Sequence, residues 1–346
     1  MTNRQNQSFA SASEVARRAG VSRSAVSRTF TEGASVSEET RRKVLAAAEE
    51  LNYHVNHLAR GLSQEKSRPI CILGGDLHAP YQSALLEALT RRIQAAGRAV
   101  MVINTAGSEA DSRAALHQTL NYRASATIVL SGAPPVSLVR TCIESGQHVI
   151  LINRAGQIEE ADHISLDHES AMSDACHMLS RAGCRSFAIV SSTNNSPSLL
   201  ARERLFTQAI VDAGLEKPQM IKTGSTSYRS GAEAARRLLP GAVRPDAVFC
   251  VTDLLACGFL DVARNDFDLS IPEDLCVLGF DDIEQASWDG YQITTFRQPI
   301  EEIAEAIVDR LGEYVVDGNA RVMTFRAFPV WRKTVRSNKE ADAKQD

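Results

Sequence analysis

Between Ser11 and Phe30 the chain reads SASEVARRAGVSRSAVSRTF, and Arg23, Ser24, Ser27 and Arg28 within it carry usable chemistry. Their spacing leaves them outward on a short helix whose other positions are apolar. A guanidinium offers paired donors matched to the two acceptors of guanine in a major groove, and hydroxyls suit phosphate oxygens. Arg23, Ser24 and Arg28 are therefore candidate base-reading residues, and Ser11, Ser22 and Ser27 candidate phosphate contacts. The partner this chemistry fits is double-stranded DNA.

Two helices and a turn must position these groups. Ser11 and Glu14 have the spacing of a capping box, followed by Val15, Ala16 and Ala19 on one face. Gly20 suits the left-handed end of that helix, and Ser22 suits the start of the next. There Ala25, Val26, Thr29 and Phe30 form the inward set. A third helix is capped by Ser37, led by Glu38 and Glu39, and lined by Val44, Leu45, Ala48 and Leu51, with Tyr53 closing it. The pattern is that of a helix-turn-helix. Periodicity alone also suits any three-helix domain with a solvated basic face.

A chain of 346 residues exceeds the usual single-domain size, so two or three domains are expected. Residues 1–66 hold ten Lys or Arg against seven Asp or Glu, whereas the whole chain carries −4. A mildly basic head on an acidic body fits a phosphate-binding module joined to something that does not bind DNA. The seven cysteines are scattered and contain no Cys-x-x-Cys pair, so neither a disulfide scaffold nor a zinc site is expected. Residues 1–10 lack an apolar signal-like core, and no run approaches the ~18 apolar residues of a membrane span. A cytoplasmic location without membrane contact is the expectation.

Beyond a polar connector, Gly61 to Arg68, strands and helices alternate. Ile70–Leu73, Ala99–Asn104, Ala126–Leu130, His148–Asn153, Phe187–Ser191, Ala247–Val251 and Leu275–Gly279 read as short buried strands. Gln82–Ala96, Ala171–Ala182 and Leu200–Ala213 read as amphipathic helices between them. Such alternation predicts parallel sheets covered by helices, with ligands at the carboxyl ends of the strands. No glycine-rich phosphate fingerprint follows a strand, so no cofactor is expected. Asp162-His163 and Asp167-His168 are five residues apart across a strand-to-helix join, a poor metal geometry. No Ser-His-Asp or Cys-His set assembles, and no enzyme is expected.

The string from Ser11 to Ser63 closely resembles the head of the lactose-repressor (LacI/GalR) family of bacterial transcription regulators. The resemblance implies a helix-turn-helix head over 1–53 and a hinge over 54–69. It further implies an effector core over 70–337, with two Rossmann-like subdomains similar to periplasmic binding proteins, and a polar tail over 338–346. The subdomains are expected at about 70–166 with 299–322, and about 167–298 with 323–337. Asn56, Ala59, Arg60 and Leu62 match the family's hinge helix, with Val55 in place of its proline. Ala59 and Leu62 are thus the implied minor-groove contacts, Leu62 as a wedge between base pairs.

Thr294 to Pro299 matches the family's TT-x-x-QP segment, where the chain passes between subdomains. Implied effector contacts are Tyr81, Asn153, Arg202, Asp253 and Asp281. Asp253 lies in a TDLLACG segment and Asp281 in an intact Gly-Phe-Asp-Asp, each after a buried strand. Leu205 stands where the family has glycine after the effector arginine, and Asn153 stands where its Asp is common. The tail from Arg332 has no leucine heptad, which favours a homodimer.

The expectation is a repressor on a near-palindromic operator, controlled by a sugar, a sugar derivative or a nucleoside. An activator or corepressor-dependent regulator is the alternative within the family. A ligand-binding protein without DNA regulation lies outside it.

Overall fold

The computed structural model describes residues 9–31, 33–55, 68–105, 109–130, 134–153, 158–194, 196–241, 243–317 and 320–337. Ala59 and Leu62 of the expected hinge, and the 338–346 tail, lie outside the described residues. The chain divides into two units, Met1–Arg68 and Pro69–Asp346.

In the first unit, α1 (Ala12–Ala19), α2 (Arg23–Thr29) and α3 (Glu38–Glu50) close around Val15, Val26 and Val44, all fully buried. The Ser11–Glu14 capping box forms in both directions, and Gly20 ends α1 at φ 69°, which L side chains rarely adopt. Phe30 and Tyr53 pack ring against ring at 5.6 Å. Leu45, expected inside, is 48% exposed, and Ala47 takes its place in the core.

The second unit is built on two parallel sheets. The first contains β1 (Ile70–Gly74), β2 (Val100–Asn104), β3 (Ala126–Val129), β4 (His148–Ile152), β5 (Asp162–Leu166) and β11 (Val322–Phe325), in the order β11-β5-β4-β3-β1-β2. Alternation along β1 divides its two cores. Ile70 and Ile72 face α4 (Pro80–Ala95) and α11 (Ile300–Asp317), while Cys71 and Leu73 face α5 (Glu109–Asn121) and α6 (Val136–Glu144).

The second sheet has the order β7-β6-β8-β9, from β6 (Phe187–Ser192), β7 (Gln219–Thr223), β8 (Ala247–Cys250) and β9 (Cys276–Leu278). Its helices are α7 (His168–Arg181), α8 (Pro197–Asp212), α9 (Tyr228–Leu238) and α10 (Asp253–Asn265). An antiparallel pair, β10 (Thr295–Arg297) with β12 (Phe328–Val330), completes this lobe.

The chain therefore crosses between lobes after Leu166, after Arg297 and after Phe325. The third crossing comes later than the 322 boundary expected from sequence, because β11 stays paired with β5 as far as Phe325. Strands β5 and β7 were not anticipated. β5 opens on Asp162-His163, whose burial depends on distant partners, and β7 is an edge strand with exposed Gln219 and Met220.

Glycines decide how closely α9 and α10 approach. A Cβ on Gly258 would overlap the Tyr228 carbonyl oxygen, and one on Gly231 would overlap the Leu255 carbonyl. Gly258→Ala should therefore cost at least ~1–3 kcal/mol by forcing the helices apart. Chemical denaturation followed by circular dichroism checks this.

Candidate functional site

The head presents its chemistry on α2. Ser22, Arg23, Ser24, Ser27 and Arg28 are all exposed, while Val26 and Thr29 point inward. Arg28 Nε reaches back to the Ser24 carbonyl at 3.4 Å. Two of the expected phosphate contacts are locally engaged. The Ser11 hydroxyl donates to Glu14 Oε2 at 2.8 Å, and Ser22 Oγ accepts from the Ala25 N–H and lies 2.8 Å from Ser24 Oγ.

In the second unit the polar groups gather at the carboxyl ends of β8 and β9. Arg202, on α8, is 3% exposed. Its Nη1 donates to the Val251 carbonyl at 2.7 Å and lies 3.2 Å from Asp281 Oδ1. Its guanidinium carbon stands 3.7 Å from the Phe280 ring centroid. Gln298 Nε2 donates to the same Asp281 oxygen at 2.6 Å. Burial lowers the pKa of Arg202 against the pull of Asp281, and burial raises that of Asp281 against Arg202 and Gln298.

Asp281 and Asp282 both have positive φ, 116° and 54°. Such backbone costs ~1–3 kcal/mol per residue and is retained only where surroundings enforce it. Here Arg297 Nε and Arg332 Nη2 each hold Asp282 at 2.6 Å, and the Asp281 N–H donates to the Phe296 carbonyl at 2.9 Å. The strained loop is thereby fastened to β10 and to the segment after β12.

Tyr81 comes to this group from the first turn of α4 in the other lobe. Burial and the Asp281 carboxylate push its hydroxyl up, opposed by Arg202. Several buried polar atoms in this region have no protein partner: Tyr81 OH, Arg202 Nε, Thr252 Oγ1, Gln298 Oε1 and both ring nitrogens of His168. His168 is driven down to about 3 by burial and then by Arg202, so its ring is neutral. Uncompensated polar atoms are costly to bury, and together they form a set of donors and acceptors suited to a hydroxylated ligand.

The five expected contacts thus separate. Arg202, Asp281 and Tyr81 are brought together. Asp253 is engaged by its own chain: it is fully buried, with Oδ1 accepting from Thr295 Oγ1 at 2.6 Å and Oδ2 from the Ile283 N–H at 3.0 Å. It fastens β10 and the 281–283 loop to α10, which explains why Gly279 is needed beside it; a Cβ there would overlap Oδ1. Asn153, at φ 51° after β4, uses its side-chain oxygen to accept the Leu166 N–H at 3.1 Å. It joins β4 to β5 at the first crossing.

Thr252, Gln298 and His168 were not singled out as ligand contacts. Thr252 stands at the start of α10 without capping it, and Gln298 lies inside the TT-x-x-QP segment already quoted. Asp162, weighed as a metal ligand, binds His148 Nε2 at 2.7 Å and Arg310 Nε at 2.8 Å. Asp167 caps α7.

A match to the family described as "Bacterial regulatory proteins, lacI family" covers residues 12–56, and one to a "Periplasmic binding protein-like domain" covers 176–335. The regulator AscG of Escherichia coli K12 is 28% identical over 88% of this chain and 91% of its own length. The fold is that of a Lac repressor dimer solved with operator and the anti-inducer ONPF, at a TM-score of 0.84 and 24% identity over 95% of this chain and all of that one. A CelR–cellobiose complex aligns at a TM-score of 0.68 and 22% identity, covering 94% of this chain and 99% of that one. Head and cleft together define a class: a DNA-binding domain joined to a periplasmic-binding-like ligand core. The chain thus carries the DNA-binding domain of the lacI family and a periplasmic-binding-like domain, and its relatives are regulators of the LacI/GalR family.

Asp253 makes stability depend on pH. Burial, followed by the charge of Asp281, raises its pKa from 3.8 to about 7. Between those values the unfolded chain loses the proton that the folded one keeps, so this group subtracts stability as pH rises, by at most about 1.4 kcal/mol per pH unit. Asp253→Asn should flatten that decline, read as melting temperature across pH 4 to 7.

Proposed function

We propose that the protein is a repressor that binds a near-palindromic operator as a homodimer and is controlled by a small polar ligand in the cleft between its lobes. The observation that carries this reading is the convergence of Tyr81 from one lobe and Arg202 with Asp281 from the other, beside polar atoms that lack protein partners. A sugar, a sugar derivative or a nucleoside offers hydroxyls to match both donors and acceptors. The CelR–cellobiose complex supports a carbohydrate in a core of this fold.

Arg23, Ser24 and Arg28 read base edges, and Ser22 and Ser27 contact phosphates, with Ser11 as a further phosphate neighbour. The hinge, with Ala59 and Leu62, enters the minor groove at the operator centre. Ligand contacts on both lobes favour one lobe angle over another, and the three crossing segments absorb the change. The coupling between ligand and DNA is then ~1–3 kcal/mol and reciprocal. The protein works in the cytoplasm and catalyses no reaction.

Two measurements test this. Arg28→Ala should cost ~1–3 kcal/mol of operator affinity and relax preference at one position, seen by gel-shift titration over operator variants. A uniform loss across all sequences would make Arg28 a phosphate contact instead. In a thermal-shift panel of sugars, sugar acids and nucleosides, one class should raise the melting temperature of the wild type. That rise should shrink in Tyr81→Phe, whose lost hydroxyl has no protein partner, while operator binding remains.

A further inference from the structure

We propose that Cys184 and Cys276 form an oxidisable dithiol, which a hydroperoxide converts into an intramolecular disulfide within the second lobe. Cys184 ends the turn after α7, and Cys276 opens β9. The two thiols share their neighbours. Cys184 Sγ points to the Asp246 carbonyl at 3.7 Å, and the same carbonyl accepts the Cys276 N–H at 2.9 Å. Cys276 Sγ points to the Pro272 carbonyl at 3.8 Å, which also accepts from Arg336 Nη1 at 2.8 Å. Arg336 Nη2 lies 3.2 Å from Cys184 Sγ. One guanidinium and two carbonyls therefore hold both sulfurs in a single cluster.

The electrostatics divide the roles. The neighbouring Cys184 thiol and Arg336 draw the Cys276 thiol down, and the proximity of Cys276 together with burial pushes Cys184 up. Burial instead raises Cys71, Cys142, Cys250 and Cys257. A thiolate beside a cation is the reactive form of cysteine, and a neighbouring thiol resolves its first oxidation product.

The Cys276 thiolate attacks one peroxide oxygen; an S–O bond forms, the O–O bond breaks, and hydroxide leaves to take up a proton as water. The Cys184 sulfur then attacks the sulfenic sulfur, forming the S–S bond and expelling a second hydroxide, which takes the Cys184 proton. Two thiols and one hydroperoxide thus yield one disulfide and two hydroxyl products, water in the case of hydrogen peroxide. Both sulfurs are buried, and half-buried Arg336 touches Cys184 directly, so oxidation proceeds from a state in which this cluster opens locally. The linkage lies at the entry end of β9, away from Arg202 and Asp281 at the opposite strand ends.

The test is graded hydrogen peroxide on the full chain, followed by alkylation of the denatured protein and peptide mass mapping without reductant. Glutathione in a parallel tube reports that oxidant was effective. The expected result is one linkage, Cys184 to Cys276, two hydrogens lighter and reversed by a dithiol reductant. In Cys184→Ser the linkage should be lost and a sulfenic acid trapped on Cys276 by dimedone; Arg336→Gln should slow linkage in the intact pair. If both thiols of the wild type remain alkylatable once glutathione is consumed, or linkages scatter among other cysteines, the proposal is overturned. The wild-type map decides the matter even where a variant fails to fold.

Discussion

The second lobe depends on keeping one guanidinium in its interior. A buried charge costs several kcal/mol unless a partner and hydrogen bonds compensate it, and removing the partner of such a pair typically costs ~3–5 kcal/mol. Arg202 meets that condition with Asp281, the Val251 carbonyl and the Phe280 face. Asp281 needs Gln298 from the crossing segment, and its positive φ needs the anchors that Arg297 and Arg332 give to Asp282. Asp253 fastens the same loop from below. The pair consumes much of this hydrogen-bonding capacity, and what it leaves over is Arg202 Nε with Thr252 Oγ1 and Gln298 Oε1, buried polar atoms without a protein partner.

The first lobe buries a carboxylate of its own at its centre. Asp162 is fully buried, and His148, Arg310 and the Arg321 N–H surround its carboxylate at 2.7 to 2.8 Å. These contacts tie β4, β5, α11 and the approach to β11 together. Asp162-His163 thus has a structural use, since His163 turns to the backbone of Ile158 at 3.0 Å. A carboxylate satisfied on every side fastens strands, whereas Asp281 stands beside unmatched hydroxyl and amide oxygens.

Much of this was legible in the order of residues, because it rests on local rules. Ser11 with Glu14, Gly20 and Ser22 specify helix ends through backbone hydrogen bonds spanning three or four positions, and the helices form where those residues stand. Short apolar runs mark β1, β3, β4, β6 and β8 because strands buried on both faces tolerate little else. The motifs around Arg202 and Asp281 singled out two residues that the fold does bring together. Leu45, β5 and β7 were misread or missed because burial there is settled by contacts distant along the chain.

The sequence by itself determined the head and the alternating core and singled out Arg202 and Asp281, since capping, periodicity and motif are properties of neighbouring residues. Only the tertiary structure decided that Asp253 and Asn153 bind their own chain, and that Thr252, His168 and Gln298 stand beside Arg202 with atoms unmatched. It alone placed the third crossing after Phe325 and set two cysteines ninety-two positions apart against one arginine. The physical reason is the same in each case. Whether a carboxylate, amide or thiol serves the fold or a partner depends on which of its hydrogen bonds are already made, and those partners come from elements far away in sequence.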